Sequence, residues 1–80
     1  MIEKGGEVMC SELPARLRKL RAERRPVRSM SAVSELCGLE RSAVRRYERG
    51  ERTPTVDALI ALADYYDVSL DYLTGRVDCR

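Results

Sequence analysis

Residues 29–54, SMSAVSELCGLERSAVRRYERGERTP, constrain this chain more than any other stretch. They read as two short helices joined at Gly38. Set out at about 100° per residue, positions 41–49 divide into two faces. Ala43, Val44 and Tyr47 fall on one side, and Arg41, Ser42, Arg45, Arg46 and Arg49 on the other. The first face belongs on a protein core. The second is a cationic stripe suited to an anionic partner rich in hydrogen-bond acceptors. A short helix of this kind, braced by a preceding helix, meets the requirements for entering the DNA major groove.

Eighty residues allow one domain with a small core. No apolar run approaches the roughly 18 residues of a membrane span, and residues 1–9 hold no apolar block of the secretory kind. Three cysteines, Cys10, Cys37 and Cys79, are an odd number without CxxC spacing, against both a disulfide framework and a zinc site. The expectation is reduced thiols in the cytoplasm, with Cys37 a small core residue. Histidine is absent, which removes the usual general base and the commonest metal ligand. Gly5 and Gly6 stand in a polar tail with no strand before them, so they make no phosphate loop. The sequence therefore points to no enzyme, no cofactor and no metal.

The net charge of +2 hides an asymmetry. Residues 11–54 hold twelve basic and six acidic side chains, a net of +6. Residues 55–80 hold five aspartates against Arg76 and Arg80, a net of −3, and residues 1–10 carry −1. The basic half would face a polyanion and the acidic half would face away.

Residues 1–10 lack periodicity and read as a tail. Ser11 is a good N-cap for a first helix with Pro14 in its first turn and Leu13, Leu17 and Leu20 facing inward, running to about Arg24 before Pro26. Ser29 caps a second helix with Met30, Val33, Leu36 and Cys37 inward, and Gly38 supplies its left-handed end. Leu39 and Glu40 make the turn into a third helix, about 41–48, closed by Gly50. Thr55 caps a fourth, with Asp57 favoured in its first turn and Val56, Leu59, Ile60, Ala63 and Tyr66 as apolar positions, Leu62 alongside. Ser69 caps a fifth, with Leu70, Tyr72 and Leu73, ending at Gly75. Residues 76–80 read as a short tail. The expected fold is all-α, five helices around one core. Tyr47, Tyr65, Tyr66 and Tyr72 could stack on bases, but their helical spacing among apolar neighbours favours core packing in a chain without Phe or Trp.

Three segments, LRKLRAE, SELCGLERSAVRRYERGERTP and ALIALADYYDVSLDYLTG, resemble the phage-repressor-like (Cro/cI-type, XRE) helix-turn-helix family over residues 17–75. The combination of YERGERTP with VSLDYLTG is highly specific to it. The family's small residue at the helix crossing, turn glycine and branched apolar residue of the third helix match Ser34, Gly38 and Val44. Two departures stand out. Met30 replaces a glutamine that in many members touches a phosphate, and the connection 25–29 is about two residues longer than usual.

The resemblance implies roles. Arg41, Ser42, Arg45 and Arg46 occupy base-reading positions, and arginine there would favour guanine O6 and N7. Arg49, Arg52 and Thr53 match phosphate contacts at the groove edge, and Ser29 and Met30 stand at the second helix start, where backbone N–H groups can meet a phosphate. Glu40 has two readings, an acceptor for a cytosine amino group or, the preferred one, an acid favoured by the helix dipole. Arg16, Arg18 and Lys19 read as a solvated face. Arg21 and Glu48 stand where the family places a salt bridge between first and third helices.

Together these readings lead to a sequence-specific duplex-DNA-binding regulator, a repressor acting as a homodimer on a two-fold operator, without membrane association. An antitoxin or restriction-controller protein would use the same module with a protein partner. An adaptor that kept the fold but binds protein is the alternative of another class. It would need no arginine stripe.

Overall fold

The computed structural model describes residues 12–78. Among them the chain forms five α-helices and no strand: α1 Leu13–Glu23, α2 Met30–Leu36, α3 Ala43–Glu48, α4 Val56–Tyr66 and α5 Leu70–Thr74. The tail assigned to 1–10 and the cap assigned to Ser11 lie outside the described residues. Glu12 occupies the N-cap position of α1 and makes no side-chain cap bond. Pro14 is accommodated in the first turn, where its missing N–H would have had no helical partner anyway.

Local chemistry explains the other boundaries. The Ser29, Thr55 and Ser69 hydroxyls accept from the backbone N–H groups of Ala32, Ala58 and Tyr72 at 3.0–3.1 Å, so α2, α4 and α5 each satisfy an otherwise unpaired first-turn donor. Helix α2 closes through Gly38 at φ 74°: Gly38 N–H donates to Glu35 O and Leu39 N–H to Ser34 O. Helix α3 closes the same way through Gly50 at φ 75°, with Gly50 N–H on Tyr47 O and Glu51 N–H on Arg46 O. Both are paired carbonyl closures that a Cβ in left-handed backbone would strain. At the end of α4 the left-handed residue is Asp67, φ 58°, an end the residue pattern did not reveal.

The core gathers one stripe from each helix. Leu17, Val33, Val44, Leu62 and Leu73 are essentially sealed from water, and Leu13, Leu20, Ala43, Tyr47, Ala58, Ala63, Tyr66 and Tyr72 complete it. Burying a side chain the size of leucine contributes roughly 1.5–3 kcal/mol, so α1, α4 and α5 are each pinned by at least one such residue. Helix α1 packs on both α3 and α5, α2 packs on α3, and α4 on α5.

Several positions expected inside are outside. On α2 the inward stripe is Met30, Val33, Ser34 and Cys37, while Leu36 is 57% exposed. Its place, six residues after Met30, lies about 240° round the helix. Val56 and Ile60 are exposed for the same reason, about 200° either side of Ala58, and Leu70 is exposed at the start of α5. Residues 76 and 77 fold back on α5, with Arg76 N–H donating to Asp71 O at 2.8 Å, so this part of the expected tail has fixed hydrogen bonds.

The tyrosines pack as expected: Tyr47, Tyr66 and Tyr72 are buried, and Tyr65 meets Tyr66 edge-on at 4.9 Å. The Tyr66 hydroxyl is buried and, among the described residues, has no hydrogen-bond partner. Burial, with the nearby Glu48 carboxylate adding to it, pushes its phenol well above the ordinary tyrosine value. Tyr66→Phe should therefore leave the thermal midpoint unchanged or raise it, because it removes a desolvated group that no partner compensates. A fall of several degrees in a melting experiment would show that the hydroxyl is satisfied in solution.

Candidate nucleic-acid interface

The third helix begins two residues later than expected. Ala43 N–H bonds to Glu40 O, making a turn, and the first α-helical bond runs from Arg46 N–H to Ser42 O. Arg41 and Ser42 therefore belong to the turn that enters α3. They still stand beside its outward face: Arg41 and Arg45 are exposed, and Ser42 and Arg46 are half-buried. Arg49 is exposed at the C-cap, and Glu40, Arg52 and Thr53 are exposed on the flanking segments.

The inward face of α3 is held from two sides. From α2, the Ser34 hydroxyl accepts from Val44 N–H at 3.0 Å and donates to Met30 O at 2.9 Å. From α1, Arg21 grips Glu48 in a two-pronged pair, Nε to Oε2 at 2.7 Å and Nη2 to Oε1 at 3.0 Å. The Glu48 side chain is only 2% exposed. Its hydrogen bonds raise the Arg21 guanidinium above the ordinary arginine value, against the opposing effect of burial. Arg18 adds a bond from α1 to the Glu48 carbonyl at the end of α3. A cation at a helix C-terminus is where the helix dipole favours one.

The structure thus sorts the basic residues. Arg16 is no solvated side chain. It donates to Tyr72 O at 2.6 Å and Val77 O at 2.7 Å, pairs with Glu12 and Asp78, and lies over the Tyr72 ring. Arg18 is tied to α3, so of that expected solvated group only Lys19 is left without such a bond among the described residues. Arg24 donates to Tyr65 O and covers its ring at 4.8 Å. These arginines hold helices together. By contrast, among the described residues the guanidinium groups of Arg45, Arg46 and Arg52 have no hydrogen-bond or ion-pair partner. Arg41 meets Glu35 at 3.6 Å and Arg49 meets Glu51 at 3.1 Å, both on exposed side chains. Exposed pairs of this kind contribute roughly 0–1 kcal/mol, so both arginines can exchange partners at little cost.

At the start of α2, the Ser29 hydroxyl is spent on its cap bond, and Met30 is half-buried against the core. Neither side chain is presented as a strong phosphate donor. Cys37 is half-buried, with Sγ 3.9 Å from Ala61 O, and burial pushes its thiol up, away from the reactive thiolate. Among the described residues there is no group of His, Cys, Asp and Glu that could hold a metal, and no helix is long and apolar enough to cross a membrane.

Two short helices closed by glycine turns, the second clamped by the first and by α1 with its arginines outward, define a helix-turn-helix module. The family model for that module matches residues 17–73, and the chain belongs to the helix-turn-helix family. It is 38% identical over 63 residues to YobD of Bacillus subtilis, an uncharacterised HTH-type transcriptional regulator, a match covering 79% of this chain and 54% of that protein. It is 40% identical over 48 residues to the HTH-type transcriptional regulator AnsR of the same species, covering 60% and 41% respectively. It is also 31% identical over 49 residues to the cryptic phage CTXphi transcriptional repressor RstR of Vibrio cholerae, covering 61% and 44%. The chain thus spans about half the length of the curated relatives it matches. No solved structure is a significant match.

Proposed function

We propose that this chain is a sequence-specific duplex-DNA-binding transcriptional repressor that lays α3 and its entering turn in the major groove. The observation that carries this reading is the division of labour among the arginines. Those on α1 are tied to other helices, whereas Arg45 and Arg46, on the exposed side of α3, are uncommitted among the described residues. An uncommitted guanidinium can donate two hydrogen bonds to guanine O6 and N7. Arg41 and Ser42 extend the reading surface, and Arg49, Arg52 and Thr53 meet phosphates beside it. Repression follows from occupancy of an operator, in the cytoplasm, with no covalent chemistry.

One such helix touches only a few base pairs, so useful specificity requires two copies on a two-fold site. Exposed Ile60, Leu70 and Val77 offer apolar surface to a second copy on the acidic half of the chain. The test is selection of bound sequences from a random duplex pool at near-physiological salt. An enriched palindrome is the expected result, and a pool that stays random after several rounds overturns the reading.

Arg52 lies beyond α3, so its expected role is with the backbone and not with bases. Arg52→Ala should weaken cognate and scrambled duplexes alike and reduce the slope of log affinity against log salt by about one unit. Titrations at several salt concentrations would check this, and a loss confined to the cognate duplex would place Arg52 among the base readers.

A further inference from the structure

Four of the five helices start at a residue with a side-chain hydroxyl whose job can be compared directly. Ser29, Thr55 and Ser69 have extended backbone, ψ 163°, 168° and 156°, and each hydroxyl accepts from the N–H three residues on. Ser42, at the same position of α3, has ψ 3° and makes no cap bond. The first turn of α3 still has one of its backbone donors capped, at Val44, two residues after Ser42 and within the range an N-cap side chain can serve. The N–H of Val44 is taken by the Ser34 hydroxyl, which comes from α2, is wholly buried and is itself anchored to Met30 O.

We infer that Ser34 is a positioning residue that caps the recognition helix from outside, and so frees the Ser42 hydroxyl for the surface that meets DNA. The inference rests on the DNA-binding reading above. Two consequences follow from the geometry. The angle of α3 to α2 is fixed by a hydrogen bond at the crossing point as well as by packing, because the same oxygen touches both backbones. And Ser42, half-buried beside Arg41 and Arg45, has a donor and an acceptor to offer a base edge or phosphate without uncapping the helix. A serine at the crossing is thus more than a small residue. Alanine would fit the space but leave the buried Val44 N–H unpaired, and Ser42, at the N-cap position, carries a hydroxyl that could turn to accept from it.

A double-mutant cycle tests this, with Ser42→Ala, Ser34→Ala and the double variant measured for thermal midpoint and for affinity to the selected duplex and a scrambled one. Ser42→Ala alone should leave the midpoint unchanged, whereas Ser29→Ala, a true cap, should lower it. Its ratio of cognate to scrambled affinity should fall roughly two- to tenfold, the size of one lost hydrogen bond. Ser34→Ala should lower the midpoint and speed hydrogen exchange at the Val44 amide. It should also lower the affinity ratio, because Ser42 turns inward to cap. In that background, adding Ser42→Ala should lower the midpoint further and leave the ratio where it is. If Ser42→Ala destabilises the otherwise unchanged chain as Ser29→Ala does, or if the two changes are simply additive in the affinity ratio, the inference is wrong. If the unchanged chain prefers no duplex, the DNA reading fails and the role given to Ser42 falls with it. The melting and exchange results then decide the capping by Ser34 alone.

Discussion

Replacing Arg21 with methionine should destabilise this domain by about 3 kcal/mol, near the lower end of what removing one partner of a buried ion pair costs. The Glu48 carboxylate left behind is 2% exposed and would lose both prongs of its pair. For a domain of this size that corresponds to a fall in the melting midpoint of roughly 12–24 °C. Glu48→Gln should cost less, because Arg21 is 24% exposed and can recover water. The diagnostic variant removes both charges. Arg21→Met combined with Glu48→Leu should be more stable than Arg21→Met alone, since no uncompensated charge is then buried. Thermal and denaturant unfolding of the three variants would check the order. Equal losses for the two single changes, each under about 1 kcal/mol, would mean that the pair behaves as an exposed one. Because Glu48 lies on α3, the same change should also loosen that helix, and under the proposed function DNA affinity should fall with stability.

Arg45→Ala and Arg46→Ala carry the second large effect, on binding and not on folding. Each should weaken the preferred duplex by roughly 1–3 kcal/mol and relax base preference at particular positions of the site. Neither guanidinium bonds to the protein among the described residues, so the melting midpoint should stay put. Titration against cognate and singly substituted duplexes separates the outcomes. Equal weakening on every duplex would make these arginines phosphate contacts and move base reading elsewhere. No effect from either change, nor from Arg52→Ala, would replace the regulator reading with that of a protein-binding adaptor on the same fold.

The sequence was informative wherever a signal is local. Ser29, Thr55 and Ser69 cap where caps were expected, and Gly38, Gly50 and Gly75 take left-handed backbone, because these preferences belong to single residues and their immediate neighbours. The inward face of α3 was legible too, since helical period alone separates Ala43, Val44 and Tyr47 from the arginines. The all-α fold and the helix-turn-helix module followed from such signals in combination.

Distance in sequence is where the reading stopped. Leu36, Val56, Ile60 and Leu70 looked like core because they are apolar, but which stripe of a helix turns inward is set by the helices packed against it. Arg16 looked solvated because charge usually is, and only the fold brings the carbonyls of residues 72 and 77 within reach of its guanidinium. Periodicity placed Arg41 and Ser42 on the third helix, whereas the hydrogen bond from Ala43 to Glu40 put them in the turn before it. Twelve basic residues announced a cationic half of the chain. Which of them brace the helices and which remain free to bind was decided by tertiary structure, because a guanidinium is committed only by acceptors that folding delivers to it.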